Sequence, residues 1–517
     1  MPVAPRLSPE RLRRPRATLS ALAAIAAGGL VAVSFAGCGL VGPAPVSTVG
    51  DVEFDTPLSI PPLAESTVDA DGTRVFSLDA QAGSTEFEPG EPSNTWGFNG
   101  SYLGPTIVAK RGEHVRVDLT NSLDEPTTVH WHGMHLPAEM DGGPHQMVEP
   151  GASWSPEWDI DQQAATLWYH PHPHGDTEDH VARGLAGMFL VQDDAEAALD
   201  LPREYGVDDV PVIVQDAGFS AEGEQEGRGH GFAGALGDEL IVNGTRGPFL
   251  DVDDELVRLR LLNASTARSY AFGWSDERPI ELIATDGGLL EASVELDRVL
   301  LSPGERAEVL VRMVPGERIV LQSKMTREIA GMQSMIAASN GGADSFDVLE
   351  LRAADTLDPA PAVPERLNTV PPVDETAVTT TRTFDLNGFE INDDEMEMGR
   401  IDETITVDTT ERWIVTNTSS MPHSFHVHDV QFRIASIDGA APPPELAGWK
   451  DTFFAQPETE FELILRFEDY ADPDTPYMYH CHLLWHEDQG MMGQFAVVEP
   501  GQQATMTEET SDEHHDH

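Results

Sequence analysis

The residues best equipped for chemistry crowd together near the C-terminus: His480-Cys481-His482, followed by His486, Glu487 and Met491. A thiolate, imidazoles and a weak thioether are the donor types of a blue-copper electron-transfer site. The preceding Pro476-Tyr477-Met478-Tyr479 reads as a strand. Successive side chains on a strand point to opposite faces, so Cys481 would look one way and His480 and His482 the other. One covalent segment would then feed two metal centres set back to back. A buried free cysteine with incidental histidines is the plainer alternative, and the rest of the chain argues against it.

Three more histidine clusters occur: Thr128-Val129-His130-Trp131-His132-Gly133, Leu167-Trp168-Tyr169-His170-Pro171-His172-Pro173-His174-Gly175 and Met421-Pro422-His423-Ser424-Phe425-His426-Val427-His428. Each holds a His-x-His pair, which puts two imidazoles on one face of an extended segment. A single pair could be a chance surface feature; two so close in the N-terminal part are hard to explain without metal. His423 has the opposite parity to His426 and so can turn the way Cys481 turns. Pro173 and Gly175 bend the chain at His174, which is expected to support the ligands or face solvent.

The elements that must position these residues read as short strands. Val75-Phe76-Ser77-Leu78, Val115-Arg116-Val117-Asp118-Leu119, Leu256-Val257-Arg258-Leu259 and Trp413-Ile414-Val415 are examples, broken by turns such as Asn99-Gly100 and Asn243-Gly244. With 45 Gly and 38 Pro among 517 residues, the composition suits a turn-rich β protein. That length has room for about three domains. The expected divisions are a signal over 1–37, a tether over 38–66, and a first domain over 67–200. A second domain over 201–355 and a Pro-rich linker over 356–378 follow, then a third domain over 379–500 and an acidic tail over 501–517. The second domain has one histidine, His230 in a Gly-rich loop, and reads as a spacer. The tail ends in His514, His515 and His517, which read as solvated.

The net charge is −58, with only three lysines, Lys110, Lys324 and Lys450. So acidic a surface argues against nucleic acid or an anionic membrane face as partner; it suits cationic solutes or a saline habitat. Five arginines within residues 1–16, an apolar run from Leu19 to Phe35 and Ala36-Gly37-Cys38 form a secretory signal. Its Phe35-Ala36-Gly37-Cys38 ending resembles the lipobox of bacterial lipoproteins, whose cysteine is lipidated after cleavage. Arg13-Arg14 resembles a twin-arginine signal, and an uncleaved anchor is the alternative. The expectation is an exported protein held by lipid at Cys38 on the outer face of the cytoplasmic membrane. Cys38 and Cys481 are the only cysteines, so there is no disulfide framework.

The four histidine clusters together resemble the signature of the multicopper oxidases, and the chain is similar to the three-domain bacterial laccase-like and copper-tolerance branch from about residue 70 to 500. The resemblance implies an all-β protein of three cupredoxin domains, each a Greek-key β-sandwich. It implies four copper ions: a type 1 copper that takes electrons from substrate, and a type 2 plus two type 3 coppers that pass them to dioxygen, yielding water. Matched motif by motif, type 1 copper would be held by His423, Cys481, His486 and Met491. Type 2 copper would take His130 and His426. The type 3 pair would take His132, His170 and His482 on one ion and His172, His428 and His480 on the other. Asp141 and Glu487 match the family's proton-handling acids.

The electron donor is open at this level. Methionines are scattered (Met325, Met332, Met335, Met396, Met398, Met421) with no dense insertion. Phenols and aromatic amines are the favoured donors, with Cu(I) as the alternative, since soft thioethers suit that ion. Met396 and Met398, interleaved with carboxylates, could form a Cu(I) site or fill a loop. A two-domain nitrite reductase would have fewer cluster ligands, a simple electron carrier would leave eight histidines idle, and a non-enzymatic relative of the oxidases would show degraded motifs.

Overall fold

The computed structural model describes residues 45–220, 231–333 and 337–505. The signal segment, Cys38, His230, Met335 and the tail histidines lie outside the described residues.

Almost all regular structure is β, in six sheets that form three successive pairs. Strand Arg74–Glu88 runs parallel to His114–Asn121, and Ile107–Lys110 runs parallel to Gly187–Gln192. The same two parallel pairings recur further on. Asp209–Ala217 pairs with Leu256–Asn263 and Pro248–Asp254 with Ser345–Asp358; later Val378–Asn387 pairs with Thr409–Asn417 and Glu403–Thr406 with Met492–Val498. Parallel neighbours need a crossover between sheets, so this recurrence is one sandwich topology built three times. The fold is all-β and cupredoxin-like, in line with the sequence.

Alternation explains each core. His114–Asn121 buries Val115, Val117, Leu119 and Asn121 and leaves the intervening residues half-exposed, a strand with one face on the core. Leu256–Asn263 is buried along its whole length, as a central strand covered on both faces must be. In the third sandwich Trp413 and Val415 pack with Phe425, Tyr479 and Phe495.

Two segments read as free are docked. From Val46 the expected tether runs along the second sandwich, where Ser47 bridges Ser345 and Thr56–Pro57 pairs with Pro248–Phe249. It then reaches the first, where Leu63 bridges Thr106 and Ser66–Val68 joins Arg74–Phe76. The expected linker is fastened at Leu367, which is buried and whose N–H donates to the Glu291 carbonyl at 2.9 Å. An edge segment borrows its register from its partner, so its own sequence need not alternate. The first domain's last strand and the second's first are separated by the short helix Asp194–Ala197, capped by Asp193 accepting from Glu196 N–H.

Candidate metal centres

Strand Tyr477–Cys481 lies between His423–Val427 and Met492–Val498. Phe425 is directly opposite Cys481 and His426 directly opposite His480. Opposed residues share a face, so Cys481 and His423, two before Phe425, look one way, and His426 and His480 the other. The short helix Leu484–Asp488 then turns the chain back and returns His486 to the cysteine side. Cys481 Sγ lies 3.4 Å from His423 Nδ1 and 3.5 Å from His486 Nδ1, and the two nitrogens are 3.2 Å apart. Met491 is fully buried in the same apolar cluster as Cys481. His486 Nε2–H donates to the Phe232 carbonyl at 2.9 Å, so its Nδ1 lone pair faces the sulfur. Burial holds His486 down to about 4 and pushes the Cys481 thiol up to about 12. A bound cation would take the place of that proton.

On the opposite face eight buried histidines converge: His130, His132, His170, His172, His426, His428, His480 and His482. Two come from each of four segments, and the two N-terminal segments are tied by the His130–His170 backbone bridge. His172 Nε2 and His428 Nε2 each lie 3.2 Å from His480 Nε2. His170 Nε2 lies 3.4 Å from both His132 Nδ1 and His482 Nε2. His130 and His426 direct their Nε2 atoms into the nest with no hydrogen-bond partner. Burial first, and the crowding of imidazoles second, hold His170, His426 and His428 well below the ordinary histidine range. Neutral imidazoles are the form that ligates metal.

The outer nitrogens show which ring atoms are left for a metal. His428 Nδ1–H donates to Asp141 Oδ2 at 2.7 Å, and His130 Nδ1–H to the Asp141 carbonyl at 3.0 Å. Glu487 is buried with its carboxylate 3.2 Å from His480 Nδ1 and 3.3 Å from His172 Nδ1. Burial opposes its ionisation, but the adjacent His172 and His480 outweigh burial and hold it well below the usual carboxylate range. With Nδ1 protons turned outward, His172 and His428 each point a bare Nε2 lone pair at that of His480 across 3.2 Å. No hydrogen bond can satisfy that arrangement; a cation can. His132 is reversed: its Nε2–H faces Asp451 Oδ1 at 3.1 Å and Thr452 Oγ1 at 2.9 Å, leaving Nδ1 for the nest. The donors therefore fit soft-to-borderline metal ions bound by sulfur and nitrogen on one face and by nitrogen alone on the other.

Sequence reading missed Asp451 and Arg306. Arg306, from strand Arg306–Arg312 of the middle sandwich, grips both Asp451 carboxylate oxygens at 2.7 and 2.6 Å, with both side chains fully buried. Lys450 reaches Asp286 at 2.8 Å and Glu305 at 3.0 Å beside them. Gly304 (φ +87°) comes so close that a Cβ there would meet His482 Cδ2 at 3.0 Å and His132 Cε1 at 3.1 Å. The middle sandwich is thus more than a spacer. It contributes no nest histidine among the described residues, yet it closes one wall of the nest and fixes the acid that orients His132. The signal in sequence was a lone Lys-Asp-Thr entering the apolar run Phe453-Phe454-Ala455. His174 is exposed, as expected.

A multicopper oxidase family profile matches residues 79–196 and a second matches 367–501. Multicopper oxidase mco of Staphylococcus aureus is 34% identical over 445 residues, covering 85% of this chain and 92% of its own. The chain belongs to the multicopper oxidase family. Cell division protein FtsP of Dickeya dadantii is 37% identical over 449 residues, again covering 85% and 92%. Among solved structures, the laccase-like multicopper oxidase CueO of Ochrobactrum sp., with oxidase activity towards lignin model compounds, superposes with a TM-score of 0.77 at 36% identity, covering 86% of this chain and all of that one. This multicopper oxidase is therefore a copper-dependent oxidoreductase that couples oxidation of a reducing substrate to reduction of dioxygen.

Proposed function

We propose that this oxidase takes electrons from phenols or aromatic amines at the Cys481 face and delivers them to dioxygen in the histidine nest. His423, Cys481, His486 and Met491 would hold a type 1 copper. His130 and His426 would hold type 2, and the triads His132/His170/His482 and His172/His428/His480 the type 3 pair, four ions per chain. When bound, the coppers supply one-electron redox steps at the first site and a four-electron sink for dioxygen at the second. The chain supplies the rest. The single peptide run His480-Cys481-His482 joins the two faces covalently. Glu487 and Asp141 sit on the outer nitrogens of nest histidines, where each can hold and pass a proton.

The observation that favours an aromatic donor lies over His486. Phe232, 49% exposed, stacks on Phe389 with centroids 5.3 Å apart, and both rings pack edge-on against the His486 imidazole. An exposed aromatic platform beside a ligand imidazole suits a flat ring as electron donor. A second reading, Cu(I), is favoured by Met325 and Met332, which line a small cavity against His423. Oxygen uptake with a substituted phenol against uptake with Cu(I) separates the two. The aromatic reading expects Phe232→Ala to raise KM for the phenol and to leave Cu(I) oxidation alone. Uptake with Cu(I) and none with any phenol would overturn it.

We also propose export by the N-terminal signal and lipid attachment at Cys38, on the outer face of the cytoplasmic membrane. The basic-apolar-small pattern of residues 1–38 supports this. Mass spectrometry of the mature N-terminus tests it: a diacylated cysteine is expected, and an intact residue 1 would refute it.

A further inference from the structure

Four methionines from three chain segments meet beside the histidine nest. Met478 and Met492 are buried on the neighbouring strands Tyr477–Cys481 and Met492–Val498, and Met396 and half-buried Met398 come from the loop between Ile391 and Asp402. Among the described residues they form a separate cluster with no aliphatic or aromatic member, apart from the third sandwich's main core. Strand register fixes its place. Met492 lies directly opposite His480, and Met478 precedes His480 by two, so both share the nest face and not the Cys481 face. The His428 N–H donates to the Met478 carbonyl at 3.0 Å. A Cβ on Gly143 would stand 3.5 Å from Asp141 Oδ2 and 3.7 Å from Met478 Cγ. The patch therefore flanks the Asp141 edge of the nest.

The loop is held in place over this patch. Gln494 Nε2 reaches the carbonyls of Glu397, Met398 and Arg400 at 3.0, 3.3 and 2.7 Å, and its Oε1 meets His145 Nε2 at 2.5 Å. The Met396 N–H donates to the Gly490 carbonyl at 2.9 Å. Exposed Glu395 and Glu397 flank Met396, so a cation approaching Met398 meets negative charge first.

Space filling alone does not call for four thioethers, because branched aliphatic side chains fill a core with better-defined rotamers. Clustered thioethers are soft donors, of the kind that selects Cu(I) over Cu(II), zinc or alkaline-earth ions. We propose that Met396, Met398, Met478 and Met492 form a binding site for one soft monovalent cation, Cu(I) or its analogue Ag(I). This site is additional to those of the redox coppers and does not depend on which donor the oxidase uses.

Silver is the probe, because it binds as Cu(I) does without redox chemistry. Copper-loaded protein, fully reduced under nitrogen, is titrated with Ag(I) and the bound ions are counted by native mass spectrometry. The expected result is one Ag(I) fewer on the Met396→Leu/Met398→Leu protein than on wild type, with sulfur-only scattering around the ion that is lost. Leucine conserves volume, and recovery of the blue absorption on reoxidation shows that the fold and redox sites are intact. Met398→Leu alone, at a half-buried position, is expected to weaken the same equivalent. Equal Ag(I) counts and equal retention against a competing chelator in all three proteins would overturn the site and leave the patch as packing.

Discussion

Replacing Glu487 by glutamine probes proton handling at the nest without disturbing the cysteine side. The carboxylate lies 3.3 Å from His172 Nδ1 and 3.2 Å from His480 Nδ1 and is buried with them. An amide has one acceptor oxygen where the carboxylate has two. It also carries no negative charge to set against the two imidazoles, and His480 Nδ1 keeps only the Cys481 carbonyl at 3.2 Å; losing a charged buried partner costs about 1–3 kcal/mol. That corresponds to roughly 10–100-fold weaker copper binding by one histidine triad, the usual scale for losing an outer-nitrogen partner. A three-imidazole site weakened to that extent still fills in a copper-loaded preparation, so the metal is expected to stay. The larger effect is on rate, since glutamine cannot carry a proton. Oxygen uptake with a saturating phenol should fall at least severalfold, towards the ~10²–10⁴-fold typical of a lost acid-base group. The blue absorption should be largely retained, because the Glu487 carboxylate faces His172 and His480 on the nest side. Uptake equal to wild type at full copper would refute the reasoning.

Three further outcomes follow from the same geometry. Asp451→Asn removes the charge that Arg306 grips, leaving it Asp286 at 3.8 Å, and weakens the hold on His132; breaking a buried pair costs about 3–5 kcal/mol. A clear drop in melting temperature and loss of nest copper, with the blue absorption retained, is expected from calorimetry and metal analysis. Cys481→Ser should abolish the blue absorption while leaving copper in the nest, as read by metal content and electron paramagnetic resonance. His135 is opposed by burial but held up to about 9 by the carboxylates of Asp429, 2.7 Å away, and Asp469. Its folded value lies above its unfolded one, so its stabilisation is complete below about pH 6.5. It is lost as pH rises through about 9. Of order 1–2 kcal/mol should disappear over that window, allowing for the cost of burying the Asp429 charge; pH-dependent unfolding of wild type against His135→Gln measures it, and identical slopes would refute the contribution of this ion pair.

The sites were legible where chemistry follows local parity. Alternation along Tyr477–Cys481 and His423–Val427 was enough to separate Cys481 and His423 from His426 and His480, and the strand register places them so. The return of His486 was less visible, because it depends on a helix of five residues, Leu484–Asp488, too short to show periodicity. The part played by Arg306 and Gly304 could not be read at all. Each meets the nest through contacts with residues more than a hundred positions away, and neither sits in a histidine motif. The docked segments at 46–57 and near Leu367 were hidden for a related reason, since their order comes from the sandwich they lie on. The methionine patch lay between these cases: Met396-Glu397-Met398 stood out, but Met478 and Met492 join them only through strand pairing.

The most direct test of the central claim is to measure copper content and the visible spectrum together on one purified, copper-loaded preparation. Two faces of one strand serving a thiolate site and an eight-histidine nest predict about four coppers per chain and an intense band near ~600 nm from thiolate-to-copper charge transfer. A single copper per chain, or full loading with no such band, would contradict it.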